Sequence, residues 1–405
     1  MSNSTVLVSG AGVAGVTLAY WLRRHGFVPT VVERSPGLRE GGYKIDIRGA
    51  ALRVVERMGL LDDIRAHATG VRAGSVVDAT GRRVASMDGD TFGGREHGDA
   101  ELLRGDLQRL IFDATEGVEY LWGDEIADLT QTGDAVDVTF ASGLTRTFDL
   151  VIGADGLHSR TRGLAFGDGH VRDLGHRVSI FSVPNHLDLD REELTYVSPG
   201  HTVLVYSTAQ DAGAKAMFLF ADDAQVPADG RAYLAEHYEN EGWAVPTLLA
   251  AMDTAPDFYL DTLSQVHLDR WSAGRVGLVG DAAYCASVAS GQGTSLALVG
   301  AYVLAGELAA EDDHVTGFAN YEARLRDFVA VNQKLGPANI KRMVLGSRAG
   351  VWLSMTFLSL LSKLPGRDRM IAKAVEPIHR AANAITLTDY AGSPTPSAAR
   401  GPHAA

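Results

Sequence analysis

An apolar run, Val6-Leu7-Val8-Ser9, leads into Gly10-Ala11-Gly12-Val13-Ala14-Gly15, and a second apolar run, Thr30-Val31-Val32, ends in Glu33-Arg34. The order strand, glycine turn, amphipathic helix, second strand and carboxylate spells a βαβ unit of the dinucleotide-binding type. Each part has a physical task. Gly10 permits the tight turn, Gly12 lets a pyrophosphate approach the backbone, and Gly15 lets helix and sheet pack closely. The N-terminus of the helix offers free N–H groups and the positive end of its dipole to phosphate. Glu33 can accept hydrogen bonds from a ribose diol. Gly26, after Arg23-Arg24-His25, terminates the helix.

Composition narrows the setting. A chain of 405 residues with 46% hydrophobic and 21% charged residues can bury a sizeable core. Its net charge of −13 disfavours nucleic acid and anionic membranes as partners. The single cysteine, Cys285, excludes an intrachain disulfide and a cysteine-based metal site, and no metal is expected. The first strand follows within a few residues of the start, so no signal peptide is expected. The apolar stretch 351–364 contains Lys363 and is too short to span a bilayer. It reads as a buried or interface helix, so no membrane insertion and a soluble, cytoplasmic protein are expected.

The pattern along the chain predicts an α/β fold. A Rossmann-like dinucleotide-binding domain is expected over 1–70, 98–169 and 266–320. An inserted antiparallel-sheet domain for substrate is expected over 71–97 and 170–265. Residues 321–390 read as C-terminal helices and 391–405, rich in proline and small residues, as a disordered tail. Helices are expected over 50–67 and 102–114, a hairpin over 71–87 turning at Asp78-Ala79-Thr80-Gly81, and two or three strands over 120–148. Strands at 178–183, 202–207 and 214–220, with one short helix near 233–238, make up the insert. His201, Tyr206 and Phe218 lie on these strands, and ordinary sheet packing accounts for all three.

Two further motifs carry chemistry. Leu150-Val151-Ile152 runs into Gly153-Ala154-Asp155-Gly156-Leu157-His158-Ser159-Arg160-Thr161-Arg162, which sets Asp155 at the carboxyl end of a parallel strand, where ligands of such sheets bind. Later, Gly280-Asp281-Ala282-Ala283 precedes Ser290-Gly291-Gln292-Gly293-Thr294 and an apolar helix at 295–310. With the opening glycines, these segments resemble the single-component FAD-dependent aromatic hydroxylases, the para-hydroxybenzoate hydroxylase group. The likeness is strongest to the tetracycline-inactivating and polyketide-tailoring monooxygenases. It covers roughly residues 5–390.

The resemblance implies FAD as cofactor and NADPH or NADH as co-substrate. The reaction it implies is hydroxylation of an aromatic or polyketide-like small molecule by O2 through a flavin C4a-hydroperoxide. It implies that Gly10, Gly12, Val13, Ala14, Gly15, Glu33 and Arg34 hold the ADP half. Asp155 serves the flavin and the nicotinamide, and Gly280 and Asp281 hold the ribityl chain. Gly291, Gly293 and Thr294 then aim a helix N-terminus at the ring, where reduced flavin carries negative charge. Arg104, opening the helix after Leu102-Leu103, is expected near the pyrophosphate or ribityl chain. Asp46, in Gly42-Tyr43-Lys44-Ile45-Asp46, is expected in a loop close to the ring, where the competing reading is a turn aspartate. No position identifies a catalytic base.

The chain departs from the family at Tyr284, where relatives carry histidine, and at Ser287-Val288, where they carry a proline pair. A less rigid loop is the expectation. No second GxGxxG and no CxxC pair occur, which excludes two-dinucleotide-domain reductases and disulfide reductases. A flavin-dependent dehydrogenase or reductase shares the three motifs. A non-oxygenating flavin-binding pathway protein is the third reading, on the altered loop.

Overall fold

The computed structural model describes residues 4–38, 42–96, 98–361 and 367–390; the expected tail at 391–405 lies outside them. A six-stranded sheet has the order Ser272–Ala273, Val276–Leu278, Leu150–Gly153, Thr5–Ser9, Val28–Glu33, Glu119–Trp122. Every neighbouring pair is parallel except the first. Three of its strands, Thr5–Ser9, Leu150–Gly153 and Val276–Leu278, are apolar along their length because helices cover one face and a three-stranded sheet the other. That smaller sheet, Ile126–Gln131, Val136–Phe140 and Thr145–Phe148, buries Val136, Val138 and Phe140 against Leu7, Val32 and Val151. Residues 119–148 thus form four strands rather than two or three, the first of them joining the parallel sheet.

Helices Val13–Arg24 and Gly293–Ala310 share the main core. Among the described residues, Gly293–Ala310 is the single helix that by itself has the length and hydropathy to cross a membrane. It is 78% buried inside the protein, so its apolar surface is already covered. Helix Arg348–Leu361 is different. It leaves Trp352 and Leu353 68% and 63% exposed, so of the two readings of this stretch, a buried or an interface helix, burial within the chain does not hold.

A seven-stranded sheet is built from two separate segments, in the order Tyr259–Val266, Val171–Val183, Ala214–Ala221, His201–Tyr206, Glu192–Ser198, Ala73–Val77, Arg83–Asp88. It is antiparallel except where Glu192–Ser198 pairs parallel with Ala73–Val77. The hairpin turns where Gly81 N–H donates to Asp78 O, with the Asp78 carboxylate capping the turn. Alternation along His201–Tyr206 sorts the two faces. Val203, Val205 and Phe218 lie in the core under helices Gly230–Tyr238 and Val245–Met252, two helices where one was expected. Leu204 and Met217 face the other way, toward Ile340 and Val344 of the C-terminal helical region.

Candidate functional site

The three sequence motifs meet at the carboxyl ends of three adjacent strands inside the six-stranded sheet, and their glycines divide into two kinds. Gly10 has φ 102°, and a Cβ there would sit 2.7 Å from Ala154 O; at Gly15 a Cβ would overlap Gly10 O. Gly280, at φ 66°, would meet the Ala14 methyl at 2.9 Å. These positions need glycine so that the motifs can touch. Gly12 has ordinary angles, φ −64° and ψ 177°, and its Cβ would meet only the Arg104 guanidinium, at 3.6 Å. Around Gly291 no atom lies within 4 Å of a built Cβ, and at Gly293 only Asp281 Oδ1, at 4.0 Å. Those three glycines border open space.

Charge and hydrogen bonding converge on that space. Helices Val13–Arg24 and Gly293–Ala310 both begin without a side-chain cap and without an acidic residue in the first turn. Their free N–H groups suit anionic groups such as a pyrophosphate or a flavin pyrimidine edge. Val13 and Ala14 are buried in the first turn of one helix, and Thr294 stands half-buried in that of the other. Glu33 accepts from Ala11 N (2.9 Å) and Ser35 N (2.9 Å), which fixes its carboxylate beside the turn; Arg34 next to it is exposed. Burial pushes the Asp281 carboxyl up, while Cys285 and Arg104 pull it back toward ionisation. Among the buried polar atoms, Gln292 Oε1 and Nε2, Ser287 Oγ and Ser295 Oγ have no hydrogen-bond partner. Four orphaned polar atoms on one loop and helix start suit a ligand with donors and acceptors on its rim.

Asp155 and Asp46 are committed to the protein. Asp155 accepts from Ser159 Oγ and, at 2.9 Å each, from Thr161 N and Oγ1, so it ties the start of helix Arg160–Phe166 to the strand end. Arg162 of that helix donates to Ala282 O (3.1 Å), joining the second motif to the third. Asp46 lies on strand Lys44–Ile47 rather than in a loop, paired with Arg48 (2.9 Å) and Arg95 (3.6 Å). Its neighbour Lys44 sits between Glu193 (2.6 Å) and Glu101 (3.0 Å). Nothing in the spacing of these residues signals that cluster.

The segment after Asp281 is tied to the core at Tyr284, where relatives carry histidine. Tyr284 is buried, its ring 4.6 Å from that of Trp271 and its hydroxyl 3.1 Å from Tyr321 Oη. Burial pushes the Tyr284 phenol up to about 12. A methyl group on Gly300 would overlap the Tyr284 hydroxyl, so the tyrosine and this helical glycine fit only together. Gly300→Ala is expected to lose about 1–3 kcal/mol of stability by overpacking. Tyr284→Phe in the same chain should recover part of it, a non-additivity that thermal or urea unfolding measures. Cys285 is a packed residue: burial first, then Asp281, raises its thiol far above the range of a reactive cysteine.

Of the three aromatic and histidine positions on the insert, Phe218 and His201 pack against Tyr238 on the helix-covered face. Tyr206 lies on the opposite face, where its hydroxyl accepts from Lys44 N at 3.0 Å. On that face too, Asp261 accepts from Tyr259 Oη (2.6 Å) and pairs with His158 Nε2 (2.9 Å), bridging the two large sheets. The Asp261 hydrogen bond raises the His158 pKa against the effect of burial. His158 was visible as part of the second motif, whereas Tyr259 and Asp261 carry no sequence signal.

Comparison with known proteins agrees with this geometry. Residues 3–330 match the family described as FAD binding domain. An uncharacterised protein of Mycobacterium tuberculosis is 49% identical over 348 residues, 83% of this chain and 93% of the relative. A flavin-dependent monooxygenase of an unknown prokaryotic organism is 40% identical over 361 residues, 87% of this chain and 90% of the relative. Among solved structures, the tetracycline destructase Tet(51) has a TM-score of 0.84 at 35% identity, covering 96% of this chain and 100% of that one.

Proposed function

The chain belongs to the FAD-binding-domain family of flavin-dependent monooxygenases, and from that premise we propose how its site divides the work and what it acts on. The protein is an FAD-dependent monooxygenase that uses NAD(P)H and O2 on a small molecule. The chemistry FAD supplies when bound is two-electron reduction by the nicotinamide and activation of O2 for transfer of one oxygen atom. Everything else is the task of the polypeptide.

The observation that carries the assignment is the contrast between the glycines: Gly10 and Gly15 are filled by the protein itself, while Gly12, Gly291 and Gly293 face open space. In our reading Gly12, Val13, Ala14 and Gly15 present backbone N–H groups to the pyrophosphate, with Arg104 as the fixed cation beside it. Glu33 exchanges its hold on the turn for the adenosine ribose, with Arg34 alongside. Asp281 takes the ribityl chain, Gly280 letting it come close. The uncapped helix start at Gly291, Gly293 and Thr294 stabilises negative charge on the ring. Asp155 acts by holding the turn rather than by touching the cofactor, and Asp46 by its charge at the cleft edge.

The substrate is an electron-rich aromatic or polyketide-like molecule, in the manner of the phenol and enol systems of the tetracyclines that Tet(51) is named for. The floor supporting this is the face of the seven-stranded sheet that carries Ile180, Leu204 and Met217, with Tyr206 at one end. It is apolar enough for a ring system and is turned toward the loop after Asp281. We divide the chain accordingly, with 1–70, 98–169 and 266–320 holding FAD, 71–97 and 170–265 holding substrate, and 321–390 closing the site, and we place the protein in the cytoplasm. The test is direct. The purified protein should be yellow, a polycyclic phenol should stimulate its NADPH consumption, and the product should carry one atom from isotopically labelled O2. Stimulated NADPH consumption without incorporation of label would instead mark a reductase.

A further inference from the structure

Helix His314–Met343 contains a proline in its interior, Pro337. A proline has no N–H, so the carbonyl one turn earlier, that of Gln333, loses its helical donor. Here that carbonyl is not left open: Gln265 Nε2 donates to it at 2.6 Å. The same Gln265 Nε2 lies 3.3 Å from Ala286 O, in the loop that follows Asp281. The Gln333 amide itself donates to Val266 O (2.8 Å) and lies 3.4 Å from both Tyr284 O and Cys285 O. Gly336, next to the proline, is where the loop comes nearest; a Cβ there would sit 2.7 Å from Ala286 O. One turn further on, Asn339 Nδ2 donates to Ala289 O at 2.9 Å.

These contacts lie at successive positions of one helix face, and of the five carbonyls they meet outside the helix, four belong to residues 284–289 and the fifth is that of Val266. The helix breaks one of its own hydrogen bonds at Pro337 and omits a side chain at Gly336, and both departures serve the loop. We propose that Gln333, Gln265 and the Gly336-Pro337 step are positioning residues that set where loop 284–289 stands relative to the flavin ring. They do with side-chain amides what the proline pair absent at Ser287-Val288 would do by backbone stiffness. The proposal rests on the reading that this loop borders the ring. The helix also reaches the substrate floor. Met343 O accepts from Thr202 Oγ1 (2.5 Å), Gly200 N donates to Leu345 O just beyond the helix (2.8 Å), and Ile340 packs with Val178 and Leu219. Loop and floor therefore share one support, and the distance between them is fixed by the helix.

The experiment uses the full-length holoprotein in three forms, wild type, Pro337→Ala and Gln333→Leu. Pro337 is exposed, so alanine opens no cavity, and it restores the N–H that recaptures the Gln333 carbonyl from Gln265. Pro337→Ala is expected to keep full FAD content and an unfolding temperature at or above that of the wild type. Its bound flavin should nevertheless show an altered visible circular dichroism, and the share of NADPH electrons released as hydrogen peroxide should rise at least two-fold. Gln333→Leu should move both readouts in the same direction, peroxide at least five-fold. A flavin dichroism and peroxide share equal to wild type in Pro337→Ala, with only the unfolding temperature changed, overturns the proposal even if Gln333→Leu fails to fold. A wild-type protein that takes up no FAD would overturn the site assignment itself, a result read before any variant is compared.

Discussion

Gly12→Val is expected to give a folded protein that no longer retains FAD, with affinity lower by a factor of about 1,000 or more, equivalent to roughly 4 kcal/mol. The backbone at Gly12 is one that any L-residue adopts, and the nearest atom to a built Cβ is the end of the flexible Arg104 side chain. The fold therefore tolerates the substitution. The valine methyls would project into the space between the helix start and Arg104, where the pyrophosphate is assigned, and would separate the phosphates from both. Gly15→Val should behave differently. Its side chain would collide with Gly10 O inside the main core, so the loss there is of the fold. The ratio of flavin to protein absorbance, read together with the thermal unfolding midpoint, separates the two cases. Full flavin content in a folded Gly12→Val variant would contradict the pyrophosphate assignment.

Lys44→Met is expected to destabilise the protein by about 3–5 kcal/mol, because it removes the cation from the buried Glu193 carboxylate and leaves the buried Glu101 with Arg95 alone. The unfolding midpoint should fall by roughly 10 °C. The Lys44 ammonium bridges Glu101 of strand Ala100–Leu103 and Glu193 of the seven-stranded sheet, and its exposure is 17% against 6% for each partner. Burial works against the charged lysine, but Glu193 and Glu101 outweigh it and raise its pKa. Burial likewise works against the Glu101 carboxylate, but Lys44 and Arg95 outweigh it and lower its pKa.

The pH dependence follows from these directions. A raised lysine stabilises the fold at all pH values below its unfolded pKa, and this is lost only as pH climbs through the higher folded value. A lowered glutamate stabilises above its unfolded pKa, and this is lost as pH falls through the lower folded value. In the wild type the cluster's contribution is therefore level from about pH 5 to about pH 10. In Lys44→Met only Arg95 is left to hold the Glu101 carboxylate down against burial, so the deficit should shrink as the pH is lowered from about 8 to about 5. Adding Glu193→Gln should restore part of the stability at neutral pH. Urea unfolding at the two pH values measures both effects, and a deficit independent of pH would mean that the lysine contributes through packing alone.

The first of these two sites was legible in the sequence and the second was not, for a physical reason. Gly10, Gly12 and Gly15 act within one turn, so their spacing along the chain is also their spacing in the structure. The same holds for Asp155 with Ser159 and Thr161, and for Asp281 with the start of the following helix. Lys44, Glu101 and Glu193 come from three strands in two sheets, and no local pattern records that they meet. Tyr259, Asp261 and His158 form their bridge in the same way. The contacts of the loop at 284–289 were hidden for a related reason. Its carbonyls meet Gln265 and, from some 50 residues later, Gln333 and Asn339, which no local pattern records. For the helix at 348–361, apolar composition left burial and an interface both open, and only the structure shows that Trp352 and Leu353 stay uncovered within the chain.

What the sequence by itself determined is the cofactor class and the βαβ frame that holds it, because backbone turns, helix starts and strand-end carboxylates are built from residues close together in the chain. What only the tertiary structure decided is which glycines the protein fills and which border open space, which face of the seven-stranded sheet forms the floor, and how the altered loop is held. Those depend on atoms brought together from opposite ends of the chain, where packing and hydrogen-bond satisfaction set the outcome and spacing along the chain does not.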